Sequence, residues 1–207
     1  MLRRRWVKIP LFLLCLAPLG WLGWRMYNQN LTANPTEFIQ HFTGDWAIRL
    51  IVTTLAVTPL RKLLRLPDLV RFRRMIGLFA FFYGCLHFLT YLWLDKLFDL
   101  HDIVKDVGKR PFITAGFAAF VSMAPLALTS TQGWIRRLGG KRWQRLHRLI
   151  YFGAIAAVVH YYWLVKSDIR LPVLYGTLVA VLLAWRAAVS LRGRLVAQRR
   201  RAAAVVS

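Results

Sequence analysis

The sequence predicts an all-α fold: an integral membrane bundle of six transmembrane helices with both termini cytoplasmic. Three observations predict it. Of 207 residues, 57% are hydrophobic and only 18% charged, with a mean hydropathy of +0.44, outside the range of an ordinary soluble domain. Apolar runs recur at lengths that span a hydrocarbon core of roughly 30 Å at about 1.5 Å of rise per residue. The basic residues that give a net charge of +22 cluster between alternate runs, as the positive-inside rule requires. A pI near 11.5 alone would suit a nucleic-acid binder, but such domains fold around modest cores. The expected partner of this charge is membrane lipid, with no nucleic acid.

In chain order the spans are expected at 7–27, 46–64, 75–94, 112–130, 146–165 and 172–190. Arg3, Arg4 and Arg5 precede the first, which reads as a retained span because no small-x-small cleavage site follows it. Pro111 and Pro172 suit the first helical positions of the fourth and sixth, where a missing N–H does no harm. Pro18 and Pro125 fall inside spans and bend them. Asp95, Asp99 and Asp102 place the segment after the third span outside the hydrocarbon, on a surface helix. Thr129-Ser130-Thr131 closes the fourth span, and Gly139-Gly140 reads as a helix-breaking turn. No internal repeat is visible, and residues 1–207 read as a single domain.

Orientation follows from the charges. Twenty-two Lys and Arg fall at the N-terminus, in 61–74, in 136–148 and from Arg186 onward, against six in the segments on the other side, with Arg25 and Arg49 inside expected spans; that side also holds seven of the eight acids, Glu37 and Asp45 among them. Trp24, Tyr27, Trp46, Trp93 and Trp163 mark the outer ends of spans, and Trp6, Trp134, Trp143 and Trp185 the inner ends, giving two aromatic belts.

Ionisable residues within spans are costly and point to function. His87, His147 and His160 qualify, whereas His41 and His101 lie in outer segments. With no carboxylate expected in the spans, a proton relay or hard-cation site is disfavoured. Imidazole suits iron, copper or zinc, and one histidine from each of two facing helices suits the axial positions of a b-type haem. Cys15 and Cys85 lack the spacing for covalent haem attachment, a thiolate cluster or a disulfide scaffold. His87 lies 13 residues after Arg74, and His160 lies 13 after His147. Both helices run outward, so His87 and His160 share a height in the outer half of the bilayer. Direct helix packing at about 8–10 Å leaves no room for a porphyrin, so splayed helices are expected, eased by small residues such as Gly84 and Gly153.

His147 lies near the cytoplasmic face, turned away from His160 on a straight helix. Arg73, 14 residues before His87, shares that height and can bind propionates or a flavin phosphate bidentately, or stand in for a fourth ligand. Both also fit as interfacial anchors. No phosphate loop, nucleophilic triad or dinucleotide fingerprint occurs. A transporter needs polar groups along a midplane path, which these spans lack apart from the histidines.

Gln40-His-Phe-Thr-Gly44, Arg71-Phe-Arg-Arg-Met-Ile-Gly77 followed by His87, Thr129-Ser-Thr, and Lys141-Arg-Trp-Gln-Arg-Leu-His147 with His160 resemble the MsrQ (YedZ) family. Its members are haem-binding membrane subunits of bacterial periplasmic methionine-sulfoxide reductase systems, within the ferric-reductase-like transmembrane group. The likeness covers nearly the whole chain. It implies one ferric-reductase-like haem-binding domain in the bacterial inner membrane, with one or two b haems. His87, His147 and His160 map onto haem-associated histidines and Arg73 onto an arginine of the inner site. It further implies FMN, electrons from the quinone pool or a flavin reductase, and a periplasmic molybdopterin-containing catalytic subunit that repairs methionine sulfoxide. The other readings are a different ferric-reductase-like haem protein, reducing a metal or oxygen, and a non-redox scaffold or transporter.

Overall fold

A computed structural model describes residues 7–206; the expectations placed on Arg3, Arg4, Arg5 and Trp6 fall outside them. The described residues are helical throughout, with no strand. The elements are α1 (Lys8–Tyr27), α2 (Pro35–Leu63), a 3-10 turn (Pro67–Leu69), α3 (Val70–Thr90) continued by a π-helical turn (Tyr91–Asp95), and α4 (Leu100–Lys109). Then follow α5 (Pro111–Leu128), α6 (Gln132–Leu138), α7 (Gly140–Leu146), α8 (Leu149–Leu164) and α9 (Arg170–Val206). Four segments are long and apolar enough to cross a membrane: Lys8–Tyr27, Pro67–Asp95, Pro111–Leu128 and Arg170–Gln198. The chain is a multi-pass membrane protein, and large side chains such as Leu14, Leu128 and Val181 stand outward at more than half exposure, as lipid-facing residues do.

The other two expected spans differ from the sequence reading. α2 begins at Pro35, eleven residues before Trp46, because Asn34 caps it: its side-chain oxygen accepts from the Glu37 N–H, and its amide nitrogen donates to the Glu37 carboxylate, so an otherwise orphaned N–H is satisfied. This extension carries Asp45 into the body of the helix, one turn before Arg49. α8 has only 16 residues, because the chain turns at His147-Arg148 before the helix begins. α9 starts at Arg170, whose N–H is held by Asp168. Pro172 is therefore the third helical residue, not the first, still within the turn whose N–H groups lack intrahelical partners.

Packing produces two helix pairs. α2 lies along α3, and α5 along α8, while α9 closes on α2 and α8. α1 is pegged to α3 where the buried Tyr83 hydroxyl donates to the Cys15 carbonyl at 2.9 Å and Phe12 meets Phe79 edge to face. In the second pair a Cβ on Gly153 would stand 2.6 Å from Ser122 Oγ, so the glycine sets how closely α8 approaches α5. α3 and α8 do not pack along one another, and the space between the pairs becomes the site.

α4 caps one end of the bundle as an amphipathic helix, with Asp99 accepting from the His101 and Asp102 N–H groups. Asp106 is buried beneath it and reaches Lys96 at 2.6 Å and Arg110 at 3.4 Å. The Lys96 ammonium holds the Asp106 carboxyl below its ordinary range, and the carboxylate pushes Lys96 up. A lowered carboxyl pKa contributes stability above the unfolded value near 3.9 and loses it as pH falls through the folded one. A raised lysine contributes below about 10.4 and loses it as pH climbs through the folded one. The cap is therefore held across neutral pH and released in acid. Asp106→Asn leaves a buried ammonium without its counter-charge and is expected to cost about 2 kcal/mol of local stability. Hydrogen exchange of the α4 amides should quicken roughly thirtyfold at pH 7; unchanged exchange would show that the pair does not hold the cap.

Candidate functional site

His87 of α3 and His160 of α8 face each other across a cavity of about 320 Å³, their rings 6.0 Å apart at the centroids and 73° apart in plane. Each ring is fixed in the same way. His87 Nδ1 lies 2.9 Å from the Gln40 carbonyl, and His160 Nδ1 lies 2.6 Å from that of Phe112. A carbonyl can only accept, so Nδ1 carries the proton in both rings, leaving each Nε2 with a bare lone pair. This is the tautomer a metal ligand requires, held by the outer-shell bond that usually accompanies it.

The close approach depends on glycine. Gly44 and Gly116 each sit four residues after the accepting carbonyl, on the same helical face. A Cβ at Gly44 would stand 3.0 Å from His87 Nδ1, and one at Gly116 would stand 2.7 Å from His160 Nδ1. The chain thus builds one unit twice, Gln40/Gly44 cradling His87 and Phe112/Gly116 cradling His160. Of the two glycines expected to ease the fit, Gly84 lines the cavity beside Met123 and Phe120, whereas Gly153 lies against Ser122. They set helix spacing, while Gly44 and Gly116 admit the imidazoles.

The arrangement fits an iron held between two imidazoles. Two bare imidazole nitrogens from facing helices are a donor set that iron takes. Among the described residues no three His, Cys, Asp or Glu side chains converge on a metal-sized point, so the remaining coordination positions suit the four nitrogens of a macrocycle. The wall is mostly apolar, with Ile48, Phe117, Phe120 and Met123, and polar groups gather toward the end nearer α4, where His41, Asp95 and Arg110 lie. His41 pairs with Glu37 at 3.8 Å, and His101 is exposed on α4.

His147 is placed differently from the expectation. It follows the last residue of α7, in the turn before α8, so a straight helix does not relate it to His160. Its ring stacks on Trp143 at 3.8 Å, its Nδ1 lies 3.1 Å from the Trp143 carbonyl, and its Nε2 is buried with no hydrogen-bond partner. Arg73 is half-buried on α3, within electrostatic reach of His147, Arg186 and Tyr151. The four expected residues therefore form two groups, His87 with His160 and His147 with Arg73.

Sequence reasoning missed two features. Asp45 lines the cavity, lies beside Tyr161 and is 3.7 Å from Arg49, which donates to the Tyr175 hydroxyl. The sequence reading put Asp45 just before the second span, whereas the structure places it within α2 and on the cavity wall; the N-cap residue Asn34 followed by Pro35 was the available signal. The second is Arg186, which donates to the Tyr151 hydroxyl and the Leu55 carbonyl. Its isolation among the apolar residues of the last span was the signal.

Paired imidazoles fixed by backbone carbonyls inside a membrane helix bundle define a class, and residues 43–158 match the family model described as ferric reductase like transmembrane component. Several relatives that the chain resembles carry the name protein-methionine-sulfoxide reductase heme-binding subunit MsrQ. The protein of Herminiimonas arsenicoxydans is 54% identical over 86% of this chain and 82% of its own. That of Caulobacter vibrioides is 49% identical over 84% and 83%, and that of Bordetella pertussis 50% over 91% and 92%. The chain belongs to the MsrQ family. No solved structure matches it.

Proposed function

We propose that this chain is the haem-binding, electron-transferring membrane subunit of a methionine-sulfoxide reductase system, folded as a single domain of six spans in the bacterial inner membrane. The observation that carries the reading is the His87–His160 pair, two imidazoles with bare Nε2 atoms and ring centres 6.0 Å apart on the wall of one cavity. A haem b bound there supplies one-electron iron chemistry. The residues do the rest: His87 and His160 would hold the iron through Nε2, the Gln40 and Phe112 carbonyls fix their tautomers, and the apolar wall excludes water. His147 and Arg73 belong to a second site on the cytoplasmic side, for a second haem or for FMN. The relatives' shared name supports the haem and the reductase partner; the donor and the partner's cofactor rest on the family resemblance.

In this reading a quinol, or alternatively a flavin reductase, gives up two electrons. The quinol becomes quinone and releases two protons. A periplasmic molybdopterin-containing catalytic subunit uses two electrons and two protons to convert methionine sulfoxide to methionine and water. The test is to reduce the haem in membranes with a quinol analogue, then add the purified periplasmic enzyme and methionine sulfoxide. Reoxidation is expected only with both present, and a haem that stays reduced refutes the role.

The topology is tested separately. Reporter fusions after Thr32 and Asp102 are expected to behave as periplasmic, and those after Pro67 and Gly140 as cytoplasmic, because the cationic loops resist translocation. A cytoplasmic signal at Asp102 overturns the six-span arrangement.

A further inference from the structure

At the cytoplasmic end of the bundle four helices and a turn bring together polar groups that the protein does not satisfy. Arg186 of α9 points inward: one terminal nitrogen donates to the Tyr151 hydroxyl at 2.9 Å, the other to the Leu55 carbonyl at 2.8 Å, and the guanidinium lies 5.3 Å from the Tyr151 ring centre. An arginine serving as a lipid anchor turns outward to the headgroups; this one is half-buried and tied to α2 and α8. Its Nε is buried without a partner, as are Thr58 Oγ1, one turn after Leu55 on α2, and His147 Nε2.

The charge is also unbalanced. Arg73 and Arg186 lie within electrostatic reach of each other, and both stay protonated in a protein. Asp68 is the sole acid in the chain's cytoplasmic-side segments, and it is bound to Arg71 at 2.6 Å. Two desolvated like charges with spare donors and no protein acid need an anion from outside the chain. A guanidinium is the group best shaped to take an oxyanion by two parallel hydrogen bonds.

We infer that Arg186, with Arg73 and Thr58, forms an oxyanion-binding site for the carboxylate or phosphate of a ligand held between α2, α3, α8 and α9. The site deepens the inner-site reading above, in which Arg73 and His147 belong to a cofactor, and adds Arg186 and Thr58 as its anion clamp. Three ligands share this chemistry: a haem carboxylate, a flavin phosphate and the phosphate of an anionic lipid.

The full chain is purified from its native membrane as wild type, Arg186→Gln, Arg186→Lys and Thr58→Val. Bound haem, flavin and phospholipid are quantified on each, with the outer low-spin haem signal as control for folding. Arg186→Gln is expected to lose about tenfold or more of whichever oxyanion ligand the wild type carries. The outer signal should stay intact, Arg186→Lys should retain more of the ligand, and Thr58→Val should show a smaller loss. The ligand that disappears identifies the source. If the wild type carries neither a second haem nor flavin, the inner-cofactor reading fails, while a lipid retained in wild type and lost in Arg186→Gln still supports the clamp. An Arg186→Gln protein with the full wild-type complement overturns the inference, as does a wild type that retains none of the three. If Arg186→Gln does not fold, Thr58→Val decides, and an unchanged complement there overturns it.

Discussion

His160→Ala and His87→Ala are each expected to abolish the low-spin haem of the outer site while leaving a folded, membrane-inserted protein. The reason is coordination number. Two imidazole nitrogens added to the four of the macrocycle would give iron six strong-field ligands, and removal of either would leave a five-coordinate, high-spin centre or no bound haem. Folding should survive because neither ring is part of the close packing that fixes the bundle. Tyr83, Leu55 and Ala154 hold that core with no measurable exposure, whereas the imidazoles face a cavity. Far-ultraviolet circular dichroism and size-exclusion elution should match wild type, while the low-spin absorption disappears. Two single variants that both keep an unaltered low-spin spectrum would mean that other residues supply the axial nitrogens.

Gly116→Ala is expected to have the next largest effect, although it removes no ligand. The new Cβ would stand 2.7 Å from His160 Nδ1, 3.0 Å from Cε1 and 3.1 Å from Cγ, well inside van der Waals contact. The ring cannot move without breaking its 2.6 Å contact with the Phe112 carbonyl, and that contact sets the tautomer. Changes to the outer shell of a metal site typically cost ten- to a hundredfold in affinity, so outer haem content should fall about tenfold or more in Gly116→Ala. Gly44→Ala, where the contact is 3.0 Å, should lose less. Gly84→Ala is the control: its Cβ would meet Met123 at 3.6 Å and Phe120 at 3.9 Å, ordinary contact distances, and haem content should hold. Equal losses in all three variants would show that helix spacing, not the imidazole cradle, controls the site.

The all-helical class was legible because length, hydropathy and the basic clusters all reflect one solvent, the bilayer, acting on every residue of a span. The depth match of His87 and His160 was legible because helical rise is linear in residue number. What escaped was decided by contacts between segments distant in sequence. Nothing at Gly44 or Gly116 marks a glycine whose missing Cβ is needed by a histidine more than 40 residues away. The helix boundaries shifted where capping outweighed hydropathy: Asn34 extended α2 back to Pro35 to include Asp45, and Asp168 drew the start of α9 back to Arg170. His147 was placed on a span by its apolar neighbours, but its backbone belongs to the turn that ends α7.

The most direct measurement is the optical and electron paramagnetic resonance spectrum of the purified wild-type protein, oxidised and then reduced. The expected result is a six-coordinate low-spin b haem with two nitrogenous axial ligands, as the His87–His160 geometry requires. A folded protein that carries no haem, or only high-spin iron, would contradict it.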